Sequence, residues 1–417
     1  MSRTVLYEPF DAGVRRTIVI EDGTITAIGR GLARPGDRVI NCTDKWITPA
    51  LLDIHVHLRE PGQEHKEDIE TGCRAAIAGG IGALCCMPNT DPLPHEPATV
   101  ERILRRAHEV GRGVKVMPVG AAVRGKGSSQ LSDYAALKDA GAVMISDDGF
   151  TIEDETLLTE AFQQCAEVGL PFTGHFELPG DDGLPNEPIA VERACRIAKE
   201  TGARVHIAHV STAEGAGIIM EARTDGAPVT WEICPHHFIL TAEDVDRLGT
   251  LGKVAPRLKT RADADALLTR VIDGDVDALA SDHAPHAEPE KAKPFDEAPP
   301  GMLGMGCMMS VSHKAIWDRV ADPKAWHVAR SLWTDGPWSV LGMEGPRIEI
   351  GAEARLAIFE FGDAKVRPEW IHSRSSNCPY LDMAVRAKPF MTVLGPRAWL
   401  RDSLGRLYPI ESEGGWS

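Results

Sequence analysis

The middle of this chain alternates short apolar runs with longer segments of helical periodicity. Eight runs have the length and β-branched content of buried strands: Ile47–His57, Gly82–Asn89, Val114–Gly120, Ala142–Asp148, Pro171–His175, Arg204–His209, Val229–His236 and Ala278–Asp282. Amphipathic helices are predicted between most of them, as at Val100–Val110, Thr156–Glu167, Ile189–Thr201 and Ala262–Ile272. This order predicts an α/β fold, a (β/α)8 barrel.

The two ends of the chain have a different pattern. Short β-type runs separated by glycines occur at Thr17–Ile20, Thr24–Ile28, Arg38–Ile40, Arg355–Phe359 and Pro389–Leu394. We therefore expect residues 1–48 and 350–417 to form a small β-sandwich domain and residues 49–349 to form the barrel. A doubly wound sheet is the main alternative, but it would need a Gly-rich phosphate turn after the first strand, and none is present.

Composition narrows the class of protein. The chain has 417 residues, 43% of them hydrophobic, and a formal net charge of −16 spread along its length. That charge argues against nucleic acid or an anionic membrane as partners. Neither a signal peptide nor a membrane span is expected, which makes the cytoplasm the predicted location. The nine Cys show no CxxC spacing, so neither a disulfide framework nor a structural zinc knuckle is predicted.

Metal-binding residue types stand at the carboxyl ends of the predicted strands. The active site of such a barrel lies at that face, so these strand ends are expected to converge. His55 and His57 are two residues apart and should share one face of an extended strand. The side chains expected to point into the site are His55, His57, Asp148, His175, His209 and Asp282.

Other residues of the same types have structural interpretations. Asp147 and Asp148 point to opposite sides of one strand, so one of the two should be a ligand. We favour Asp148 and interpret Asp147 as a loop or capping residue. Packing or supporting roles are expected for His206, His236, His237 and His283, with His283 directed outward.

Six ligands exceed what a single catalytic zinc uses, because such a zinc takes three protein ligands and a water. Two metal ions about 3.5–4 Å apart, sharing a carboxylate and a hydroxide, fit the number better. Such a pair lowers the pKa of bound water from about 15.7 towards neutrality and so provides a nucleophile at pH 7. Zinc suits this ligand set, although Mn, Co or Fe could occupy it.

Seven motifs carry a family resemblance: His55–Gly62, Glu70–Ala76, Met87–Thr90, Ser146–Gly149, His206–Thr212, Pro235–His237 and Ser281–His286. Together they resemble the bacterial class I dihydroorotases of the amidohydrolase superfamily. His-x-His alone marks the superfamily. Its continuation as His-x-His-Leu-Arg, together with Met-Pro-Asn-Thr and Asp-His-Ala-Pro-His, points to dihydroorotase.

The resemblance implies zinc-dependent, reversible hydrolysis of dihydroorotate to N-carbamoyl-L-aspartate, a step of pyrimidine biosynthesis. It implies two zinc ions per subunit, bridged by Asp148 and a hydroxide. One zinc would be held by His55, His57 and Asp282, and the other by His175 and His209. Hydantoinases use a carboxylated lysine as the bridge, and Ser146–Gly149 contains no lysine.

The resemblance also assigns the groups around the substrate. Asp282 would be the catalytic acid and base. Contacts to the substrate carboxylate would come from Arg59, Asn89 and His286. Backbone contacts would come from Pro300 and Gly301, within a loop, Ala287–Gly306, that we expect to close over substrate and to be mobile without it.

Two positions depart from the family pattern. Ala255 stands where relatives have a substrate-contacting asparagine, and the acidic residue that relatives have after the Pro-Gly loop is replaced near Gly306. One alternative is therefore a hydrolase of another cyclic ureide, such as a hydantoin. A second is an inactive partner of aspartate carbamoyltransferase, which the intact ligand set disfavours. A homodimer is expected, and association with that carbamoyltransferase is a further possibility.

Overall fold

The chain begins with strands that lie outside the barrel. The computed structural model describes residues 3–11, 13–125, 127–180, 185–402 and 406–410. The first seven strands are β1 (Thr4–Tyr7), β2 (Phe10–Asp11), β3 (Val14–Arg15), β4 (Thr17–Glu21), β5 (Thr24–Gly29), β6 (Arg38–Asn41) and β7 (Lys45–Pro49).

Eight parallel strands then form the barrel, as the sequence predicts. They are β8 (Leu51–Val56), β9 (Ile81–Cys86), β10 (Lys115–Ala121), β11 (Met144–Ser146), β12 (Phe172–Gly174), β15 (Val205–Ile207), β16 (Val229–Ile233) and β17 (Ala278–Leu279), with a small hairpin of β13 (Leu178–Pro179) and β14 (Pro185–Asn186) after β12. The barrel closes between its last and first strands: the His57 N–H donates to the His283 carbonyl at 2.9 Å, and the Ser281 N–H donates to Asp53 Oδ1 at 3.0 Å.

Helices lie between the barrel strands and after the last of them, and the longer ones pack against the outside of the barrel. The helices are α1 (Ile69–Gly79), α2 (Pro97–Val110), α3 (Tyr134–Asp139), α4 (Glu155–Val168), α5 (Glu187–Thr201), α6 (Ala213–Thr224), α7 (His236–Ile239), α8 (Asp244–Leu248), α9 (Arg261–Asp273), α10 (Glu288–Lys291), α11 (Met308–Val320), α12 (Lys324–Trp333) and α13 (Asp335–Leu341). Side-chain caps fix several starts, for example Asp154 on α4 and Asn186 on α5. Among the described residues, no helix has the length and apolarity needed to cross a membrane.

A two-layer β structure built from both chain ends packs beside the barrel. The last strands are β18 (Arg355–Lys365), β19 (Ala384–Leu394), β20 (Arg397–Arg401) and β21 (Leu407–Pro409). One sheet has the order β5-β4-β1-β6 and the other β21-β20-β19-β18-β7-β2-β3. Their shared core contains Leu6, Ile18, Ile20, Ile25, Ile47, Leu356, Ile358, Met391 and Val393. The β-sandwich is thus confirmed, and the domain limits at residues 48/49 and 349/350 stay a prediction.

Two predicted strands were wrong in extent. The run Ile47–His57 is two strands in different sheets, because the Ala50 N–H donates to Arg355 in the outer sheet and the Leu51 N–H donates to Gly80 in the barrel. The run Val229–His236 ends at Ile233 because Pro235 has no N–H to continue the ladder, and His236 begins α7.

An irregularity in the first barrel strand directs its histidines inward. Ile54 belongs to the cluster that fills the barrel interior, so strict alternation would turn His55 towards the helices. The register between β8 and β9 shifts between Asp53 and Val56. Such a bulge re-aims side chains, and both His55 and His57 therefore face the barrel mouth.

Candidate metal centre

The six predicted ligands converge at the carboxyl ends of the barrel strands. His55 Nε2 lies 3.3 Å from Asp148 Oδ1, and His57 Nε2 lies 2.8 Å from Asp282 Oδ1. His175 Nδ1 lies 3.2 Å from His209 Nε2. Ligand atoms within 4.8 Å of one another form two overlapping triads: His55, His57 and Asp282, and His55, Asp148 and His209.

The donor set fits divalent metal ions. The His55 Nε2 and His209 Nδ1 atoms are buried and have no hydrogen-bond partner within the described chain. An unpartnered imidazole nitrogen in a dry interior is costly unless something binds it. Imidazoles and carboxylates are also the ligands that zinc and similar cations take in catalytic sites. The structure thus supports a metal cofactor at this cluster.

Three side chains behind the ligands orient the imidazole rings. The His55 Nδ1–H donates to Glu232 Oε1 at 3.0 Å, and the His57 Nδ1–H donates to Asn89 Oδ1 at 3.0 Å. His175 contacts Glu177 Oε2 through Nε2 at 2.9 Å. Partners of this kind fix the tautomer and so decide which nitrogen remains free for a metal.

Sequence reasoning missed Glu232 and Glu177. Glu232 is the only acidic residue within the buried strand β16, and its second oxygen reaches His206 Nε2 at 3.1 Å. An isolated carboxylate in an apolar strand signals such a partner. His206 itself is packed and hydrogen-bonded, with Nδ1 2.8 Å from Thr230 Oγ1, as its sequence position predicted.

The electrostatics of the cluster keep its carboxylates ionised. Burial alone would raise the pKa of Asp148 and of Asp282. The neighbouring histidines outweigh burial and hold both pKa values well below the usual range. Burial together with His175 and His55 lowers the pKa of His209 to about 3, so that this imidazole is neutral and can act as a ligand.

Three residues of the site have strained backbone conformations. Arg59, His209 and Asp282 have φ values of 61°, 37° and 43°, in the left-handed region that residues other than glycine seldom adopt. Strain of this kind is typically found where a fold must aim a functional side chain. Each of the three follows the end of a barrel strand.

The neighbouring candidates have structural contacts. Asp147 accepts the Ile152 N–H at 2.9 Å and the His175 N–H at 3.3 Å, whereas Asp148 joins the cluster. His283 is buried away from the cluster, with Nε2 3.3 Å from Glu67 Oε2. His236 and His237 are buried side by side with ring centroids 4.3 Å apart.

A cavity of about 270 Å³ opens onto the cluster. Its lining includes Arg59, Asn89, Ala255, His286, Pro300 and Gly301. The structure thus brings every predicted substrate-contacting residue to one pocket, and it places Ala255 there too. Their roles towards substrate stay predictions.

The arginine in this pocket is buried without a carboxylate partner. Only 7% of Arg59 is exposed, and its guanidinium forms no ion pair with any residue that the structure describes. Its Nε donates to the Pro285 carbonyl at 3.2 Å. Burial lowers its pKa, against the pull of Asp282 and Asp148. A buried cation that faces a cavity favours an anionic ligand.

The Pro300–Gly301 turn already has partners within the protein. The Pro300 carbonyl accepts from His286 Nε2 at 2.9 Å, and the Gly301 N–H donates to the Lys253 carbonyl at 2.9 Å. The Gly301 carbonyl accepts from Lys291 Nζ at 3.0 Å. Backbone contacts from this turn to substrate, and mobility of its loop, therefore remain untested predictions.

A closed parallel barrel with a buried His/Asp cluster at its strand ends defines a metal-dependent hydrolase. A family model described as "Dihydro-orotase-like" matches residues 44–193. The dihydroorotase of Anaeromyxobacter dehalogenans is 36% identical over 405 residues, covering 92% of this chain and 93% of that protein. The dihydroorotase of Deinococcus radiodurans is 35% identical over 411 residues, covering 93% and 96%. This chain belongs to the dihydroorotase family, and it is a metal-dependent cyclic amidohydrolase.

Solved structures agree on the fold. L-Hydantoinase (dihydropyrimidinase) from Arthrobacter aurescens superposes with a TM-score of 0.81 at 23% identity, covering 94% of each chain. D-Hydantoinase (dihydropyrimidinase) from Thermus sp. superposes with a TM-score of 0.80 at 18% identity, covering 97% of this chain and 96% of that one. At these identities the likeness shows the barrel and its sandwich alone.

Proposed function

We propose that this protein reversibly hydrolyses the cyclic amide of dihydroorotate to N-carbamoyl-L-aspartate, as a dihydroorotase of pyrimidine biosynthesis. The observation that carries the substrate choice is Arg59, a buried guanidinium without an ion pair in the described chain, facing the cavity that opens onto the His/Asp cluster. Dihydroorotate has a ring amide for the cluster and a carboxylate for this arginine.

Two zinc ions per subunit are part of this proposal. His55, His57 and Asp282 would hold one, His175 and His209 would hold the other, and Asp148 would join them. When bound, such ions lower the pKa of water towards neutrality and polarise an amide carbonyl. The close approach of these ligand atoms and the buried His209 Nδ1, which has no hydrogen-bond partner in the described chain, support the assignment.

The catalytic proton transfers are assigned to Asp282. Its carboxylate is ionised, so it can accept the proton of the attacking water. An amide nitrogen is a poor leaving group until it is protonated, and the same carboxyl group can deliver the proton to it. The Asp282 carboxylate lies within the cluster, 2.8 Å from His57 Nε2, where both transfers would take place.

The carboxylate subsite (Arg59, Asn89 and His286) would bind the substrate carboxylate and so place the ring amide at the His/Asp cluster. A guanidinium can grip a carboxylate through two parallel hydrogen bonds. Burial and the nearby Arg59 lower the pKa of His286 to about 2, so its imidazole meets the substrate as a neutral group. Asn89 donates through Nδ2 to Asp148 Oδ2 at 3.3 Å, which links the subsite to the predicted bridge.

The test is a ring-opening and ring-closing assay with metal analysis on the same sample. We expect turnover of dihydroorotate and carbamoyl-aspartate, two zinc per chain, and loss of activity on chelation. Arg59→Met should raise KM by about tenfold or more, while Arg105→Met, on an exposed helix surface, should leave KM unchanged. Turnover of hydantoin without dihydroorotate would favour the other cyclic amidohydrolase, and zinc-free, inactive protein would favour the carbamoyltransferase partner.

The homodimer, the cytoplasmic location and any association with aspartate carbamoyltransferase belong to the same proposal. The likeness to dihydroorotases supports them indirectly. Sedimentation of the purified protein, alone and mixed with that carbamoyltransferase, would test the two assembly states.

A further inference from the structure

A segment from the sandwich side of the molecule reaches the barrel mouth. The segment Ser373–Asn377, named the strap here, lies in the connection between β18 and β19. The Arg374 N–H donates to Glu67 Oε1 at 3.0 Å, and Ser375 Oγ donates to the Lys66 carbonyl at 2.7 Å. The strap is therefore fastened to the loop that follows β8.

The last residue of the strap, Asn377, contacts both loops that carry the carboxylate side of the pocket. Its Oδ1 accepts the His286 N–H at 3.2 Å. Its Nδ2 donates to the Ala284 and Gly301 carbonyls, each at 3.1 Å. Its own carbonyl accepts the Leu303 N–H at 3.0 Å. Asn377 thus links the chain at 284–286 to the chain at 301–303 through its side chain and its carbonyl, in addition to the direct bond from the Ala284 N–H to the Met302 carbonyl at 2.9 Å.

The side-chain amide of Asn377 fits this buried position in its hydrogen-bonding groups as well as in its size. Only 2% of Asn377 is exposed, and both of its N–H donors and its oxygen have partners. The orientation of the amide follows from the network, since the oxygen faces an N–H and the nitrogen faces two carbonyls. An aspartate would keep the size but would set a carboxylate against those two carbonyl oxygens.

The two loops meet closely at this point. A Cβ atom on Gly301 would lie 2.8 Å from the Ala284 Cβ and 3.0 Å from His286 Cδ2. A shift of either loop would therefore move the His286 ring, which also lies 3.4 Å from the Arg59 guanidinium. The distance between the loops therefore affects the position of His286 relative to Arg59 within the carboxylate subsite.

We infer that Asn377 is a positioning residue that holds the carboxylate subsite in place for substrate. The inference rests on the proposed function for the identity of the substrate. Asn377 does not reach the metal ligands; it acts through the backbone of His286 and Gly301. Its loss should therefore affect substrate binding far more than metal content or the chemical step.

The kinetic test compares Asn377→Ala and Asn377→Asp with Ser375→Ala. The last variant removes a strap hydrogen bond that does not touch the two loops. Both Asn377 variants should raise KM for dihydroorotate by about tenfold or more, with kcat within about threefold and two metals retained. A KM within about twofold of wild type, or an equal rise in Ser375→Ala, would overturn the inference.

A second measurement needs no substrate. Hydrogen exchange should accelerate about tenfold or more in peptides covering residues 284–286 and 301–303 of the Asn377 variants, but not in Ser375→Ala. Unchanged exchange there would refute the positioning role. If wild-type protein fails to turn over dihydroorotate, the proposed function fails, and the exchange result still decides whether Asn377 holds the loops.

Discussion

Glu232 offers the sharpest test of how the metal centre is supported. Its carboxylate lies between His55 Nδ1 at 3.0 Å and His206 Nε2 at 3.1 Å, and only 1% of the residue is exposed. Burial would raise its pKa, but His206 and His55 lower it to about 2. The carboxylate is therefore charged and strengthens the donation by which His55 keeps Nε2 free for a metal.

Glu232→Gln would preserve the shape and remove the charge. The glutamine oxygen can still accept from His55, and its amide N–H can donate to His206 once that ring changes tautomer. The loss is thus the difference between a charge-assisted and a neutral hydrogen bond, about 1–2 kcal/mol. That corresponds to metal affinity weakened by about 5–30-fold, which overlaps the lower part of the range of about 10–100-fold for residues behind metal ligands.

Competition with a chromophoric chelator measures this affinity directly. Glu360→Gln is a suitable control, since Glu360 lies on β18 of the sandwich and pairs with Lys388 at 3.3 Å. Urea unfolding of both variants would show whether stability changes as well. Metal affinity of Glu232→Gln equal to that of wild type would refute the claim that this carboxylate supports the His55 ligand.

Three further predictions follow from individual contacts. Asp282→Asn should keep the fold and lower kcat by about 10²–10⁴-fold in the ring-opening assay, since it removes the acid–base group; retained turnover would contradict the role. Glu187→Ala should lower the free energy of unfolding by about 3–5 kcal/mol in urea titrations, because the buried carboxylate accepts from Ser211 and Thr212 through both backbone and hydroxyl groups. Burial and Lys253 lower the pKa of Lys291 from 10.5 to about 8. Between pH 8 and pH 10.5 the unfolded chain binds a proton that the folded chain does not, so the free energy of unfolding should rise with pH. The unfolding free energy of wild type minus that of Lys291→Met, measured in urea titrations, should therefore increase from pH 8 to 10.

The barrel and the convergence of the candidate ligands could be predicted because both depend on local patterns. Strand runs and helical periodicity fix the order of elements, and ligands at the carboxyl ends of parallel strands must converge. Strand alternation predicted that only one of Asp147 and Asp148 faces the site, and the structure brings Asp148, the residue next to Gly149, into the cluster.

The supporting residues could not be predicted in the same way. Two of them, Glu232 and Asn377, contact residues that are distant in the sequence. The third, Glu177, contacts His175 two residues earlier, where the chain turns back on itself. No periodic pattern in the sequence marks any of the three. The sequence also contained no sign that one strand ends and another begins at Ala50, because β7 and β8 form one continuous apolar run. The two strands nevertheless belong to different sheets.

The register shift between Asp53 and Val56 has a consequence for anyone who would transplant this site. On an idealised, evenly pleated strand, a His-x-His sequence would still place its two imidazoles on one face. Ile54 and His55, as adjacent residues, would then point to opposite faces and could not both face the barrel interior. A designer must therefore copy the irregular pairing with the adjacent strand along with the histidines. Without it, either the two histidines or Ile54 would face away from the barrel interior.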